Sequence, residues 1–197
     1  MRRTFGSIAT ITTVVAVMLA PSASFATSIS ASKLSSELLT LGQMPTGWTS
    51  SSTTDDGLGC LHNLLEPSGV KQTHASQAYF LGTVDQLPKF DEKIATYANV
   101  KTAYKKIIAR INSCHVTDGL VNGVMVTGTV APMSFAHFGN ASSTYAMVDS
   151  DVRGTLHYDY TIVRKGNFVA AFLEGSFPSV VASEFQSLVS KGVSRLS

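Results

Sequence analysis

The chain contains 197 residues, of which 44% are hydrophobic and 14% are charged. This composition is typical of one globular domain and excludes a chain that is disordered throughout. The 15 basic and 13 acidic residues give a formal net charge of +2, and two of the basic residues, Arg2 and Arg3, belong to the extreme N-terminus. The remaining lysines and arginines are scattered rather than gathered into a basic stripe, so we expect no nucleic-acid partner.

The N-terminus is organised like an export signal. Arg2 and Arg3 form a short positive segment, and an apolar run follows at residues 8–20. The run is shorter than the roughly 20 residues that a membrane anchor needs. Small residues precede the bond after Ala26, as a signal peptidase requires. We therefore predict a signal peptide at residues 1–26, cleaved after Ala26, and a secreted protein.

The segment after the cleavage site is rich in Ser and Ala, and we expect a flexible lead at residues 27–33 followed by a single domain at 34–197. No cysteine follows the apolar run at the start of the mature chain, so the protein is not predicted to be a lipoprotein. The Arg-Arg start is compatible with twin-arginine export as well as with the general secretory route. The sequence leaves both routes open.

The first part of the domain is predicted to contain a short helix, a loop and two strands. Leucines at positions 34, 38, 39 and 41 recur at helical spacing after capping serines, and the Met-Pro-Thr-Gly-Trp segment at 44–48 ends that helix. Residues 49–59 are polar and predict a loop. Further elements are one helical turn at 60–65 and strands at about 75–82 and 89–98.

The clearest helix is predicted between Asn99, a good N-cap, and Ser113, because its apolar residues fall on one face. The hydrophobic period then becomes two, which predicts strands, with a tight hairpin turn at 164–167. A final helix is expected from Pro178, with Val181 on its buried stripe and Gly192 allowing close contact with a sheet. The second group of strands is predicted at 121–130, 143–149, 155–163 and 168–175.

This order of elements predicts an α+β fold with a mainly antiparallel β-sheet packed against two to three helices. Cys60 and Cys114 are the only cysteines, and in an oxidising compartment such a pair indicates one disulfide bond. The alternative is a metal site formed with His62 and His115. Zinc sites usually separate paired cysteines by two to four residues, a spacing that is absent here, so we predict the disulfide and no metal.

Two motifs suggest chemistry without completing it. Residues 149–154, Asp-Ser-Asp-Val-Arg-Gly, resemble the start of a calcium loop, but Arg153 and Tyr160 occupy ligand positions, so we expect a hairpin turn. Asp159 and Glu174 fall on adjacent predicted strands and are candidates for paired carboxylates. No nucleophile elbow or helical zinc-binding histidine pair is present, and no Gly-rich nucleotide loop joins a strand to a helix. We therefore predict no cofactor and no enzymatic activity.

Aromatic side chains are the remaining candidates for recognition. Trp48, Tyr97, Tyr158 and Tyr160 are candidates for lining a cleft that takes an apolar or glycan ligand. Alternatively, these side chains fill the core. The alternation of Tyr158 and Tyr160 with apolar residues on one strand face favours the core.

The order of these landmarks resembles the PknH-type extracellular sensor domain of actinobacteria. The resemblance rests on the Leu-Leu-Thr helix leading into Met-Pro-x-Gly-Trp-Thr at 44–49, a cysteine about a dozen residues on, the Tyr97 strand, the helix that ends at Cys114, and the Val-Arg-Lys-Gly-Asn hairpin at 163–167. It implies an antiparallel sheet whose helices form a groove for an extracellular ligand, with no catalytic residues. Kinase-borne members have a transmembrane segment and a kinase domain, which this chain lacks.

The resemblance and the residues together predict a secreted, non-catalytic ligand-binding or sensor-type domain of the actinobacterial cell envelope. Its partner would be an extracellular small molecule, lipid or glycan. Two alternatives stay open. One is an envelope hydrolase with an unrecognised site, and the other is an interaction module that docks on a membrane protein. Converging Ser, His and acidic residues would favour the hydrolase, and a flat apolar patch would favour the interaction module.

Overall fold

The described part of the chain folds into one sheet with helices on both faces. The computed structural model describes residues 29–52, 59–67, 70, 72–83, 86–121, 124–152 and 154–197. The predicted signal peptide and its cleavage site lie outside these residues. Within them, no helix is long and apolar enough to cross a membrane.

Three α-helices and eight β-strands make up the described residues. The helices are α1, Ala31–Glu37; α2, Val100–Asn112; and α3, Ala182–Arg195. Short 3-10 turns lie at Leu41–Gln43 and Gly59–Leu61. The strands are β1, Trp48–Ser51; β2, Gln72–Leu81; β3, Lys89–Tyr97; β4, Val116–Val121; β5, Val124–Met133; β6, Ala141–Asp151; β7, Gly154–Lys165; and β8, Phe168–Ser176.

The strands form a single antiparallel sheet in the order β1-β2-β3-β8-β7-β6-β5-β4. The last strand therefore inserts between β3 and β7, in the middle of the sheet. Because it is covered on both faces, all nine residues of β8 are buried. The predicted α+β class with a mainly antiparallel sheet is confirmed.

Two core clusters lie on opposite faces of the sheet. Helices α1 and α3 pack on one face against Phe90, Phe172 and their neighbours. Helix α2 packs on the other face, where Ala95, Ala171 and other strand residues meet its apolar stripe. Alternation along β8 explains the division, because successive side chains of a strand point to opposite faces. We call these the α3 face and the α2 face.

The disulfide and the central helix match the predictions from the sequence. Cys60 and Cys114 are bonded, with their Cα atoms 5.8 Å apart, and the bond joins the 3-10 turn at Gly59–Leu61 to the end of α2. Asn99 is the N-cap of α2, and its side chain accepts a hydrogen bond from the Thr102 N–H. The helical stripe thus reaches Cys114, which is buried.

The predicted ends of the outer helices are wrong. Helix α1 begins at Ala31, within the expected flexible lead, because the Ser30 hydroxyl caps it by accepting from the Lys33 N–H. It ends at Glu37, since Leu38 has an extended backbone. Helix α3 begins at Ala182, and Val181 is its extended N-cap residue. Val181 is therefore exposed rather than buried.

Two strands were not predicted. The expected polar loop at 49–59 begins with β1, whose polar residues pair with β2. The single strand expected at 121–130 is instead a hairpin of β4 and β5, with Val121 paired to Val124. The Asn122-Gly123 dipeptide between these strands is a strong hairpin signal in the sequence. The edge strands β1 and β4 form hydrogen bonds with β2 and β5, and these bonds compensate for a weak local propensity to form a strand.

Gly192 allows α3 to approach the sheet closely, as predicted. A Cβ atom there would lie 2.5 Å from Cε1 of Phe172, whose ring is fully buried. We expect Gly192→Ala to lower the free energy of unfolding by about 1–2 kcal/mol through overpacking, although alanine favours a helix. Urea denaturation followed by circular dichroism measures the change.

Gly42 provides the matched control, because a Cβ atom there meets nothing within 4 Å. Gly42→Ala is expected to change the stability by less than about 0.5 kcal/mol. Equal stability of the Gly192→Ala and Gly42→Ala proteins would contradict the close approach of α3.

Candidate functional site

A cleft opens where β5 extends beyond its outer neighbour. Strand β4 pairs with β5 only as far as Thr129, so residues 130–133 continue along an edge that β4 does not cover. The chain then leaves the sheet and returns at Ala141 as β6. Within this connection, Phe135 turns to the α3 face and contacts the Phe185 ring at a centroid distance of 5.5 Å. The departing chain leaves room between itself and the end of α2.

This cleft has a volume of about 400 Å³, which is within the range of small-molecule sites. Apolar side chains from α2, β5 and the following segment form part of its wall, and hydroxyl and amide groups form the rest. The lining residues are Ile108, Asn112, Pro132, Met133, Ser134, Phe135, Ala136, His137, Ser142, Ser143, Thr144 and Tyr145.

Hydrogen bonds fix the polar groups on the α2 side of the cleft. The Tyr145 hydroxyl donates to Oδ1 of Asn112 at 2.8 Å, and the Tyr104 and Ser143 hydroxyls lie 3.4 Å apart. With its oxygen engaged, Asn112 offers its NH₂ group as a donor. Burial raises the pKa of Tyr145, and the nearby Tyr104 adds to this while a hydrogen bond with Ser143 opposes it. Tyr145 is therefore neutral at physiological pH.

The lining of the cleft carries little charge. Among the described lining residues there is no Asp, Glu, Lys or Arg, and His137 is the single imidazole. A charged ligand would therefore lose its hydration without meeting an opposite charge. The arrangement suits a neutral ligand that combines hydroxyl groups with apolar surface.

The structure does not bring the four predicted cleft aromatics together. Trp48 is buried in the cluster on the α3 face, whereas Tyr97, Tyr158 and Tyr160 belong to the α2 face. Tyr97 donates its hydroxyl hydrogen to the Leu65 carbonyl, which is a structural contact. These side chains lie outside the cleft lining, so their proposed role in ligand binding stays a prediction. The tyrosine that does line the cleft is Tyr145 on β6.

The serines, histidine and acidic residues that a hydrolase would bring together occupy separate places in the described residues. The cleft holds serines and His137 but, among its described lining residues, no carboxylate to orient the imidazole. Asp159 and Glu174 face each other directly on β7 and β8, as their predicted adjacent strands required. Glu174 is only 2% exposed. Burial, followed by the negative charges of Glu184 and Asp159, raises its pKa to about 8. Glu174 is therefore protonated at neutral pH, but its side chain is buried.

The metal alternatives have no support among the described residues. Cys60 and Cys114 use their sulfurs in the disulfide, and no group of three His, Cys, Asp or Glu side chains is placed to hold a metal ion. The calcium-like segment is the turn between β6 and β7, with Asp151 paired to Gly154. Asp149 is buried and accepts a hydrogen bond from Thr117. Arg153 lies outside the described residues.

Comparisons with known proteins assign the fold. The sequence matches no protein-family model and no curated protein. The structure is similar to the crystal structure of the extracellular domain of PknH from Mycobacterium tuberculosis, with a TM-score of 0.66 and 8% identity over 85% of this chain and 96% of that chain. An uncharacterised protein from Mycobacterium smegmatis, the Rv0999 ortholog, aligns over 79% of this chain and 92% of its own at a TM-score of 0.48 and 10% identity. The first similarity, which spans nearly all of the PknH extracellular domain, shows that the chain has the fold of that domain.

Proposed function

We propose that this chain is a secreted, non-catalytic sensor-type domain that binds a neutral glycan-like ligand in the cleft between α2 and the β5–β6 connection. The observation that carries the proposal is the lining of this cleft, where fixed hydroxyl and amide groups lie beside Ile108, Met133 and Phe135 without a carboxylate or a basic side chain. Sugars present both hydroxyl groups and apolar ring faces. The lining offers a partner for each.

The proposal of an extracellular location rests on other features. The apolar segment at residues 8–20 and the disulfide both fit an exported protein, and the fold is shared with an extracellular domain. Purifying the protein from the culture medium and measuring its intact mass tests this location. A mass that begins at residue 27 supports it, and retention of residues 1–26 in the cells contradicts it.

The ligand class is tested by titrating the protein with maltotriose, cellotriose and chitotriose while recording amide chemical shifts. Saturable shifts confined to α2 and residues 132–145 are expected. Tyr145→Phe removes the hydroxyl that holds Asn112. Loss of one such hydrogen bond is expected to weaken binding about fivefold.

Tyr79→Phe is the matched control, because it removes a buried tyrosine hydroxyl, bonded to the Leu39 carbonyl, from the α3 face and outside the cleft. It is expected to lower stability and leave the affinity unchanged. If no saccharide gives saturable shifts, or if both tyrosine variants bind as the native protein does, the glycan proposal is wrong.

A further inference from the structure

Two carboxylates face each other on the α3 face, away from the cleft, and a third acidic residue lies near them on α3. Asp159 on β7 is the direct partner of Glu174 on β8 in the strand register. Glu184 belongs to the first turn of α3, which packs on the same face. Asp159 and Glu184 are close enough to Glu174 for their negative charges to act on it. We call these three residues the acidic site.

Glu174 is buried, and one of its two carboxyl oxygens has no hydrogen-bond partner among the described residues. The residue is 2% exposed, and its Oε2 atom accepts no hydrogen bond. An unsatisfied buried acceptor costs free energy, more so when the group is ionised. A donor brought by a ligand would remove that cost. The unpartnered oxygen of Glu174 therefore indicates a binding function. Asp159 and Glu184 alone would not indicate one.

The charges that act on Glu174 are those of Glu184 and Asp159. The ion pairs of Lys33 and Lys89 involve Glu37 and Asp91 rather than the acidic site. The other titratable side chains on this face near Glu174 are His157 on β7 and Glu92 on β3. Burial raises the pKa of Asp159, and the nearby His157 opposes this effect. Glu92 is held by the Leu39 N–H and lies beneath α3.

Exposed apolar residues adjoin, along the chain, the elements that carry the acidic site. Phe177 follows β8 directly and is 67% exposed, and Val181 precedes α3 and is 54% exposed. Leu87, which is also exposed, lies just before β3 at the end of the sheet where β8 leads to Phe177. Carboxylates on elements that end in exposed apolar residues match a cation that carries hydrocarbon.

We propose that the acidic site binds an organic cation, namely an ammonium or guanidinium group on an apolar chain. The cation would donate hydrogen bonds to Glu174 and Asp159, with Glu184 closing the site from α3 and Phe177 and Val181 contacting the hydrocarbon. A bare metal ion fits less well, because within the described ranges no three such side chains are placed to share one. A guanidinium group, with five donors in a plane, needs only the two neighbouring carboxylates of Glu174 and Asp159.

Binding of the cation is coupled to a proton. Glu174 is neutral for much of the population at neutral pH, and it must release its carboxyl proton to the buffer before it forms an ion pair. The bond that breaks is the O–H bond of Glu174, and the proton leaves as a hydronium ion or protonated buffer. Affinity for the cation should therefore rise between about pH 6 and about pH 8.5.

Isothermal titration calorimetry of the full-length mature protein tests the proposal. The probes are agmatine, cadaverine and a blocked tripeptide with arginine between two leucines. We expect saturable binding, about tenfold weaker in Glu174→Gln and in Asp159→Asn because each removes one charge-assisted hydrogen bond. Titrations in phosphate and in Tris should differ in heat by an amount that reports proton release near neutral pH.

Glu66→Gln is the matched control, because Glu66 is a half-exposed carboxylate outside the acidic site. It should bind all three probes like the native protein. The probes also separate two sources of the cation. Tighter binding of the tripeptide than of agmatine would indicate a basic side chain of a partner protein, and the reverse order would indicate a free amine.

Three outcomes would overturn the proposal. The first is absence of saturable binding for every probe at about pH 8.5, where Glu174 is mostly ionised. The second is unchanged affinity in both acidic-site variants. The third is equal binding of Mg²⁺ or Ca²⁺ in competition with the amines. None of these depends on saccharide binding, so failure here and failure of the glycan proposal are distinguishable.

Discussion

Replacing Cys114 by serine is expected to lower the free energy of unfolding by about 4 kcal/mol under oxidising conditions. The disulfide joins two residues that are 54 positions apart in sequence. Its loss restores to the unfolded chain the conformational freedom of the loop between them. For a domain of this size the loss corresponds to a decrease in Tm of roughly 8–16 °C. Differential scanning calorimetry of the native and variant proteins measures it.

The controls use the fact that Cys60 and Cys114 share a single bond. Cys60→Ser should have a similar effect, and the double variant should lose little more than either single variant, because both changes remove one bond. Dithiothreitol should bring the native protein to the Tm of the variants and leave the double variant unchanged. An unchanged Tm in Cys114→Ser would show that the disulfide contributes nothing to stability.

The second large effect is a decrease in stability as the pH rises from about 5 to about 8.5. Burial, followed by Glu184 and Asp159, raises the pKa of Glu174 from 4.5 to about 8. Burial also raises the pKa of Glu92 to about 7, against the opposing effects of the Leu39 N–H and Arg195. In the folded state both carboxyls keep protons that the unfolded chain releases. Their stabilising contribution is complete below the unfolded pKa and is lost as the pH rises through the folded pKa.

The size of this effect follows from linkage. Each pKa unit corresponds to about 1.4 kcal/mol, so Glu174 alone contributes on the order of 4 kcal/mol of lost stability across this range. Glu174→Gln should remove that part of the pH dependence and make the protein more stable than the native form at about pH 8.5, since glutamine stays neutral. Urea denaturation at a series of pH values measures how the free energy of unfolding depends on pH in the native protein and in Glu174→Gln.

Glu66→Gln again serves as the control, and its stability should follow the native pH dependence because Glu66 is half exposed. A native protein that gains stability between about pH 5 and about pH 8.5 would contradict the neutral state of Glu174. An organic cation at the acidic site should oppose the loss at high pH, because it stabilises the folded state that binds it.

Local pattern was sufficient for the elements with strong periodicity. The apolar stripe of α2 and its Asn99 cap, the hairpin of β7 and β8, and the pairing of Cys60 with Cys114 were all predicted correctly. Each depends on residues that are close in sequence or on a cysteine pair with no competitor. The sequence also placed Asp159 and Glu174 on adjacent strands of this hairpin, and the structure shows that they are direct partners in its register.

The missed features depend on distant partners. After Trp48, strand β1 consists of polar residues, which are extended because β2 supplies their hydrogen bonds. The start of α3 was misplaced because Val181 fits the apolar stripe but has an extended backbone. The cleft was not predicted, since Asn112 on α2 and Tyr145 on β6 meet only when α2 packs on the sheet. The segment at 134–140 has no periodicity from which its path could be read.

The sequence by itself determined the class of the fold, the disulfide, the β6–β7 and β7–β8 hairpins and the expectation of export, because composition, spacing and period carry that information locally. Only the tertiary structure decided that β8 lies at the centre of the sheet, that the candidate aromatics divide between two faces, and that a neutral cleft and an acidic site lie apart. The physical reason is that burial and the resulting pKa of a group such as Glu174 depend on side chains that the fold brings from far along the chain.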